Sequence, residues 1–327
     1  MKIAKLGARQ QNVVAHMPRG DDISWQVMRQ IVRKWTGEAT ELAEVTPLSG
    51  GCISTAMALT LDSGRKVVLK ISPHRVDRAY ADEAVQLALL CEAGIPVPQV
   101  YDCHTGTLEE PFSYILMEFI EGVDLSAARS RCGAEQFEQL QFQLADMVLK
   151  LHERTAPHYM RVTSNGARQF DAWAACYRDI YDPIWREAEK NAALPVKARK
   201  QVARLHQRLD QLLAHDDCPR LVHWDLWATN LLAVENPDDH SWRIAALLDP
   251  NCKFAHAEAE IAYLELFHTV TPAFLRVYQQ SHKLPPEYHR VRKPIYQLYS
   301  LLNHLCLFGK EYLKPVNEAI ARAAGLV

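Results

Sequence analysis

Strand and helix patterns are segregated along this chain, and that segregation constrains the fold more than any other feature. "EVTPLSGGCISTAMALTLDSG" and "RKVVLKIS" read as strands, with a Gly-Gly turn between the first two and an Asp-Ser-Gly turn before the third. "GIPVPQVYDCH" and "FSYILMEFIEG" supply two more. Only two helices interrupt them. Residues 24–37 are amphipathic and end on Gly37; residues 77–93 carry Tyr80, Ala84, Leu87, Ala88 and Cys91 on one face, with Asp77 as cap and Gly94 as stop. From Leu125 onward the pattern changes to long helices: "AEQFEQLQFQLADMVLKLHE", "ARKQVARLHQRLDQLLAHD" and most of 256–327. The exception is 221–249, which reads as a β-hairpin. Strands followed by helices predict an α+β fold rather than repeating βαβ units. The expected division is a β-rich lobe at 1–120 and a mainly helical lobe at 121–327, with the crossover near "LMEFIEG".

Bulk properties exclude several classes. Of the 327 residues 48% are hydrophobic and 23% charged, as in ordinary globular proteins. A formal net charge of -2 argues against nucleic acid as a partner. No apolar run approaches the roughly 20 residues that span a bilayer, so no membrane role is expected. The N-terminal stretch lacks a signal-peptide h-region. Eight cysteines are scattered without a C-x-x-C pair, which fits free thiols in a reducing compartment. The expectation is a cytoplasmic protein.

Chemistry concentrates in "LVHWDLWATNLL", Leu221 to Leu232, and in the "IAALLD" that follows it. Asp225 and Asn230 lie five positions apart, and Asp249 ends the later apolar run. Phosphoryl transfer from ATP needs a backbone-lined loop over the phosphates, a lysine on them, an acid holding that lysine, oxygen ligands for magnesium and a carboxylate at the attacking hydroxyl. Each has a candidate, in the order protein kinases use. Gly50, Gly51 and Cys52 form the loop, and Lys70 ends "VVLK". Glu83 flanks the apolar face of helix 77–93 more closely than Asp82 does. Asp225 would accept or orient the hydroxyl proton. Asn230 and Asp249 would bind Mg2+, an ion satisfied by one or two carboxylates with phosphates and waters. His223 would brace the loop.

These motifs resemble the kinase-like small-molecule phosphotransferases, and more narrowly the fructosamine and ketosamine kinases. "HWDLWATN" is similar to their H-G-D-L-W-x-x-N. "LLDPNCKFAHAEAEIAYLELF" keeps Asp249, Pro250, His256, Glu258, Glu260, Glu265 and Phe267 of a later motif, and "LLNHLCLFG" that of a late helix. The likeness runs from about Trp25 onward. It implies a bilobal protein-kinase-like fold, ATP and Mg2+ as cofactors, and transfer of the γ-phosphate to the third-carbon hydroxyl of a ketosamine, free or protein-bound, by a monomer or weak dimer. Glu118 and Ile120 in the linker would meet the adenine. Trp227, Asn303 and His304 would line the acceptor pocket.

Two departures from the family pattern bear on the acceptor. Trp224 replaces the glycine of H-G-D, either narrowing the pocket or packing beneath the loop. Ala255 and Ala257 stand where the family often has glycine and arginine. The alternatives are a kinase of an aminoglycoside or choline-like alcohol, whose cationic acceptor Asp171, Asp179, Asp182, Glu258 and Glu265 would favour, and an inactive nucleotide-binding pseudokinase. Retention of Lys70, Asp225, Asn230 and Asp249 counts against the pseudokinase. Cys52, beside the positive potential of Lys70, is a candidate reactive thiol.

Overall fold

The computed structural model describes residues 23–37, 39–48, 55–72, 78–191 and 193–326. The described residues group into two compact units. One is drawn from 1–137, 162–166 and 228–251, the other from 138–161, 167–227 and 252–327.

The first unit holds a five-stranded antiparallel sheet in the order β1 (Leu42–Pro47), β2 (Thr55–Leu61), β3 (Lys66–Ser72), β5 (Ser113–Glu118) and β4 (Val100–His104). Helix Trp25–Thr36 covers one face of it. Ser24 caps that helix through a bond from the Val27 N–H, and Gly37 stops it with φ 106°, its N–H on the Arg33 carbonyl at 2.7 Å. Met28, Ile31 and Val32 pack on Leu59, Val67, Leu69, Ile71 and Leu116. Helix Ala79–Glu92 covers the opposite face, where Tyr80 and Leu87 meet Ile115 and Met117. Gly94 follows it at φ 75°, and the Ile95 N–H closes on the Leu90 carbonyl. The cap expected from Asp77 lies outside the described residues. Because successive side chains alternate across a strand, Val67, Leu69 and Ile71 face helix Trp25–Thr36. Lys70 therefore faces helix Ala79–Glu92.

A smaller sheet, β10 (Trp242–Leu247), β9 (Leu231–Glu235) and β6 (Val123–Asp124), completes this unit. The hairpin is thus 231–247 rather than 221–249. β8 (Arg220–Val222), expected to be its first strand, instead pairs with β11 (Lys253–Ala255) in a third sheet that also contains β7 (Met160–Arg161). A cut at residue 120 does not reproduce the units either. The hairpin groups with the first unit because β9 pairs with β6 and the Leu247 N–H donates to the Pro96 carbonyl at 2.9 Å. Gly122 permits that approach: a Cβ there would stand 2.9 Å from the Ala233 carbonyl oxygen.

The second unit is mainly helical. Helices Trp173–Lys190 and Lys293–Phe308 pack an aromatic core of Trp173, Tyr177, Tyr181, Tyr296 and Tyr299. The Trp173 Nε1–H donates to the Tyr296 hydroxyl at 2.9 Å, so the polar ends of these two rings are used internally. Helices Ala257–Leu266 and Pro272–Ser281 follow β11 in the chain. No described helix is long and apolar enough to cross a membrane.

Candidate active site

In the first unit, Lys70 and Glu83 meet. The Lys70 ammonium donates to the Glu83 carboxylate at 2.5 Å, and side-chain exposure is 11% and 13%. Asp82 takes another role, accepting from the Ser164 N–H and hydroxyl, each at 2.7 Å. Asp249 is the second acid on the Lys70 ammonium. Burial alone would lower the lysine pKa, but the Glu83 and Asp249 carboxylates outweigh it and raise the value above the ordinary one. Lys70 is therefore a fixed cation at neutral pH.

Asp249 lies at φ 54°, a left-handed conformation, immediately after the Leu248 N–H donates to the Asn230 carbonyl at 2.9 Å. That bond ties the hairpin's end to the short turn Ala228–Asn230 at its start. Asn230 is buried. An amide and a carboxylate are hard oxygen donors of the kind magnesium takes. No group of three or more His, Cys, Asp or Glu suited to a metal occurs among the described residues. Glu118 ends β5; its N–H donates to the Gln99 carbonyl at 2.8 Å, and its side chain accepts from the Gln99 N–H at 3.1 Å. Its N–H is thereby committed to Gln99. Gly50, Gly51 and Cys52 lie outside the described residues, and so does the reactive-thiol reading.

In the second unit, Asp225 is half-buried and accepts a 2.7 Å hydrogen bond from the Tyr263 hydroxyl. Burial, and then the charge of Asp225, push the Tyr263 phenol well above its ordinary pKa, so the phenol stays a donor. The Asp225 N–H donates to His223 Nδ1 at 3.4 Å. Trp224 has φ 71°. For an L-residue other than glycine such a conformation costs about 1–2 kcal/mol, which is the physical reason a glycine suits this position. Trp224 is held there by neighbours. Its N–H donates to Glu260 Oε1 at 2.8 Å, and Glu260 is fixed by His152 at 3.0 Å, whose other ring nitrogen meets the Tyr278 hydroxyl at 2.9 Å. The indole packs edge-on to Trp173 and near Tyr181, and the Lys253 amino group lies 4.6 Å from its ring centroid. Trp224 therefore packs beneath the loop.

The proposed acceptor residues fall partly together. Phe267 contacts the rings of Tyr263 and His304, each with centroids 4.7 Å apart, and more loosely that of Trp227 at 6.5 Å. His304 bonds its own helix through the Ser300 carbonyl at 2.8 Å, and burial lowers its pKa, so packing accounts for it. Asn303 precedes it on helix Lys293–Phe308 and is partly buried.

The five acids named for a cationic acceptor all have partners within this unit. Asp171 meets His158 at 2.9 Å, Asp179 meets Arg168 at 3.3 Å, and Asp182 meets His206 at 3.0 Å. Glu265 meets Lys293 at 2.7 Å. Arg292 binds Glu258 through two bonds of 2.5 and 2.7 Å. The guanidinium that Ala257 does not supply reaches Glu258 from another part of the chain. Tyr263, Lys253 and Arg292 carried no local sequence signal; only a helical-period count from Glu260 would have aimed Tyr263 near the loop.

A strand lysine paired to a helix glutamate on an antiparallel sheet, with D-x-x-x-x-N leading into a hairpin that ends in aspartate, defines a protein-kinase-like phosphotransferase of α+β, bilobal fold. Solved structures share that fold. The aminoglycoside phosphotransferase APH(4)-Ia, in a ternary complex with AMP-PNP and hygromycin B, superposes with a TM-score of 0.63 at 20% identity over 91% of this chain and 97% of its own. A protein from Haemophilus somnus 129PT, assigned as a fructosamine-3-kinase, does so with a TM-score of 0.72 at 21% identity, over 91% and 97%.

The fructosamine kinase family model matches residues 24–324, and the chain belongs to that family. Among its relatives, a protein of Enterococcus faecium assigned as a ketoamine kinase is 27% identical over 85% of this chain and 94% of its own. The protein-ribulosamine 3-kinase, chloroplastic, of Oryza sativa subsp. indica is 25% identical over 86% and 80%. The chain is thus an ATP-dependent phosphotransferase with an alcohol acceptor.

Proposed function

We propose that the protein phosphorylates a sugar hydroxyl of ketosamines, a deglycation step. The acceptor is the third-carbon hydroxyl of a fructosamine or ribulosamine, free or protein-bound. The observation that carries this reading is the buried Lys70–Glu83 pair with Asp249 on the same ammonium. Lys70, held by Glu83, neutralises charge on the ATP phosphates. Asp225, oriented by Tyr263, takes the acceptor proton as the hydroxyl oxygen attacks the γ-phosphorus. The bond from that phosphorus to the bridging oxygen breaks, and ADP leaves. Asn230 and Asp249 would hold Mg2+, which supplies further charge neutralisation on the phosphates. Glu118 and Ile120 meet the adenine, Gly50 to Cys52 cover the phosphates, and Trp227 with Asn303 contacts the acceptor. In this reading residues 1–120 carry the phosphate loop, Lys70 and Glu83, 121–327 carry the catalytic and metal-binding hairpin with the acceptor groups, and the protein works in the cytoplasm as a monomer or weak dimer.

The internal pairing of the little-exposed Glu258 with Arg292 and Glu265 with Lys293 favours a ketosamine over an aminoglycoside, since a polycation needs carboxylates not already satisfied. The test is ADP release with magnesium across ribulose-lysine, fructose-lysine, kanamycin, choline and no acceptor, with Asp225→Asn as control. Turnover on a ketosamine that the variant abolishes is expected. Turnover on kanamycin or choline alone would refute the substrate.

A further inference from the structure

Trp224 raises a problem that its immediate neighbours answer. It occupies a left-handed conformation, φ 71°, directly before Asp225. Relaxation of its φ to the negative values a tryptophan prefers would rotate the Trp224–Asp225 peptide and swing the carboxylate away. The bond from its N–H to Glu260 fixes one end of the residue, at 2.8 Å. The indole is fixed by an aromatic edge and by an amino group: Trp173 meets it edge-on at 6.1 Å, and Lys253 Nζ lies 4.6 Å from the ring centroid.

Lys253 is 2% exposed, on β11, and pairs in register with Val222 of β8, two residues before Trp224. Burial first, and then the charge of Arg161, push its pKa well below the ordinary lysine value, only partly offset by Cys252, Asp225 and Cys176. A buried amine is costly in an apolar interior, and the negative face of an indole is a surface that attracts its N–H groups. The amino group of Lys253 and the indole of Trp224 are thus in direct contact.

We infer that Lys253 is a positioning residue for phosphotransfer: its amino group, seated on the Trp224 indole, holds the left-handed backbone that aims Asp225, a task glycine performs without a clamp. This rests on Asp225 being the residue that serves the acceptor hydroxyl. Lys253 touches neither nucleotide nor acceptor in this role. It follows that its contribution depends on the side chain at 224.

The experiment compares Lys253→Met in two backgrounds of the full-length protein, wild type and Trp224→Gly, by steady-state ADP release with a ketosamine acceptor. In wild type, Lys253→Met is expected to lower kcat about tenfold with KM for ATP unchanged. In the Trp224→Gly background the same substitution is expected to change kcat less than twofold. An equal loss in both backgrounds, or kcat within twofold of wild type in the first, overturns the proposal. Lys253→Arg, which keeps N–H groups over the ring, is expected to retain at least a third of kcat; if it is as impaired as Lys253→Met, the contact is not what matters. A readout independent of turnover is the 19F signal of 5-fluorotryptophan at position 224, assigned with Trp224→Phe. One sharp line is expected in wild type and a broadened or split line in Lys253→Met, and an unchanged line overturns the clamp even if that variant is too unstable for kinetics. Asp225→Asn separates the two readings. If it retains most of the turnover, the role of Asp225 itself fails, whereas abolished turnover with an unaffected Lys253→Met sinks only the clamp.

Discussion

Tyr263→Phe removes one oxygen from the protein and leaves the ring that packs on Phe267 in place. The lost group is the hydroxyl that donates to Asp225 Oδ1 at 2.7 Å. A hydrogen bond to a charged acceptor contributes about 1.5–3 kcal/mol net. At 1.36 kcal/mol per decade of rate, this bounds the loss at about 10- to 150-fold if the full value is spent on aiming the carboxylate. Asp225 is half-buried, so water replaces part of the bond. The lower end, about tenfold in kcat, is the expected result. KM for ATP should stay within twofold, because Lys70, Glu83 and Asp249 make their contacts with one another. Thermal stability should also change little, since no cavity is created. The assay is steady-state ADP release at saturating ketosamine with ATP varied, alongside a thermal melt. A kcat within twofold of wild type would show that Tyr263 does not orient the reacting carboxylate. A loss confined to KM for ATP would show that the nucleotide and acceptor roles are wrongly apportioned.

Glu83→Gln should raise KM for ATP about tenfold and increase the magnesium needed for half-maximal rate. Lys70 then keeps only the Asp249 carboxylate, one of the proposed metal ligands; an unchanged magnesium titration would contradict this. Arg292→Met leaves Glu258 buried without its guanidinium, a loss of about 3 kcal/mol or more. A fall in Tm of about 6 °C or more is expected, and a drop under 2 °C would mean that the pair is not structural. Burial lowers the His215 pKa to about 4, and His256 and His304 are shifted in the same direction by the same cause. Between the ordinary value near 6.5 and 4 the unfolded chain binds more protons than the native one, so stability falls as pH falls through that window. Melts from pH 7.5 to 4.5 should show Tm declining from about pH 6.5, with a shallower slope in His215→Leu; a Tm flat down to pH 5 would refute it.

Local pattern determined much of this protein. The two helices of the β-rich part are readable from their apolar faces and from Gly37 and Gly94, which act on neighbouring backbone. Period-two alternation in "RKVVLKIS" put Lys70 on the face opposite Leu69 and Ile71, and the helical period chose Glu83 over Asp82. Spacing alone singled out Asp225, Asn230 and Asp249, because a loop between two short strands has few conformations. Where partners are distant in sequence the reading failed or was silent. The strand at 220–222 reads as part of the hairpin because adjacency is the default, yet its hydrogen bonds go to Lys253–Ala255. Trp224 read as an ambiguous bulk change. Its cause lies in a backbone φ of 71° and in contacts from Glu260, Lys253 and Trp173, none within twenty-five residues. Arg292 reaches Glu258 across thirty-four positions, and Tyr263 reaches Asp225 across thirty-eight. Periodicity and spacing encode what the backbone does to its own neighbourhood. Which charge is neutralised, which carboxylate is aimed and which strained residue is held depends on side chains that meet only when the chain has packed.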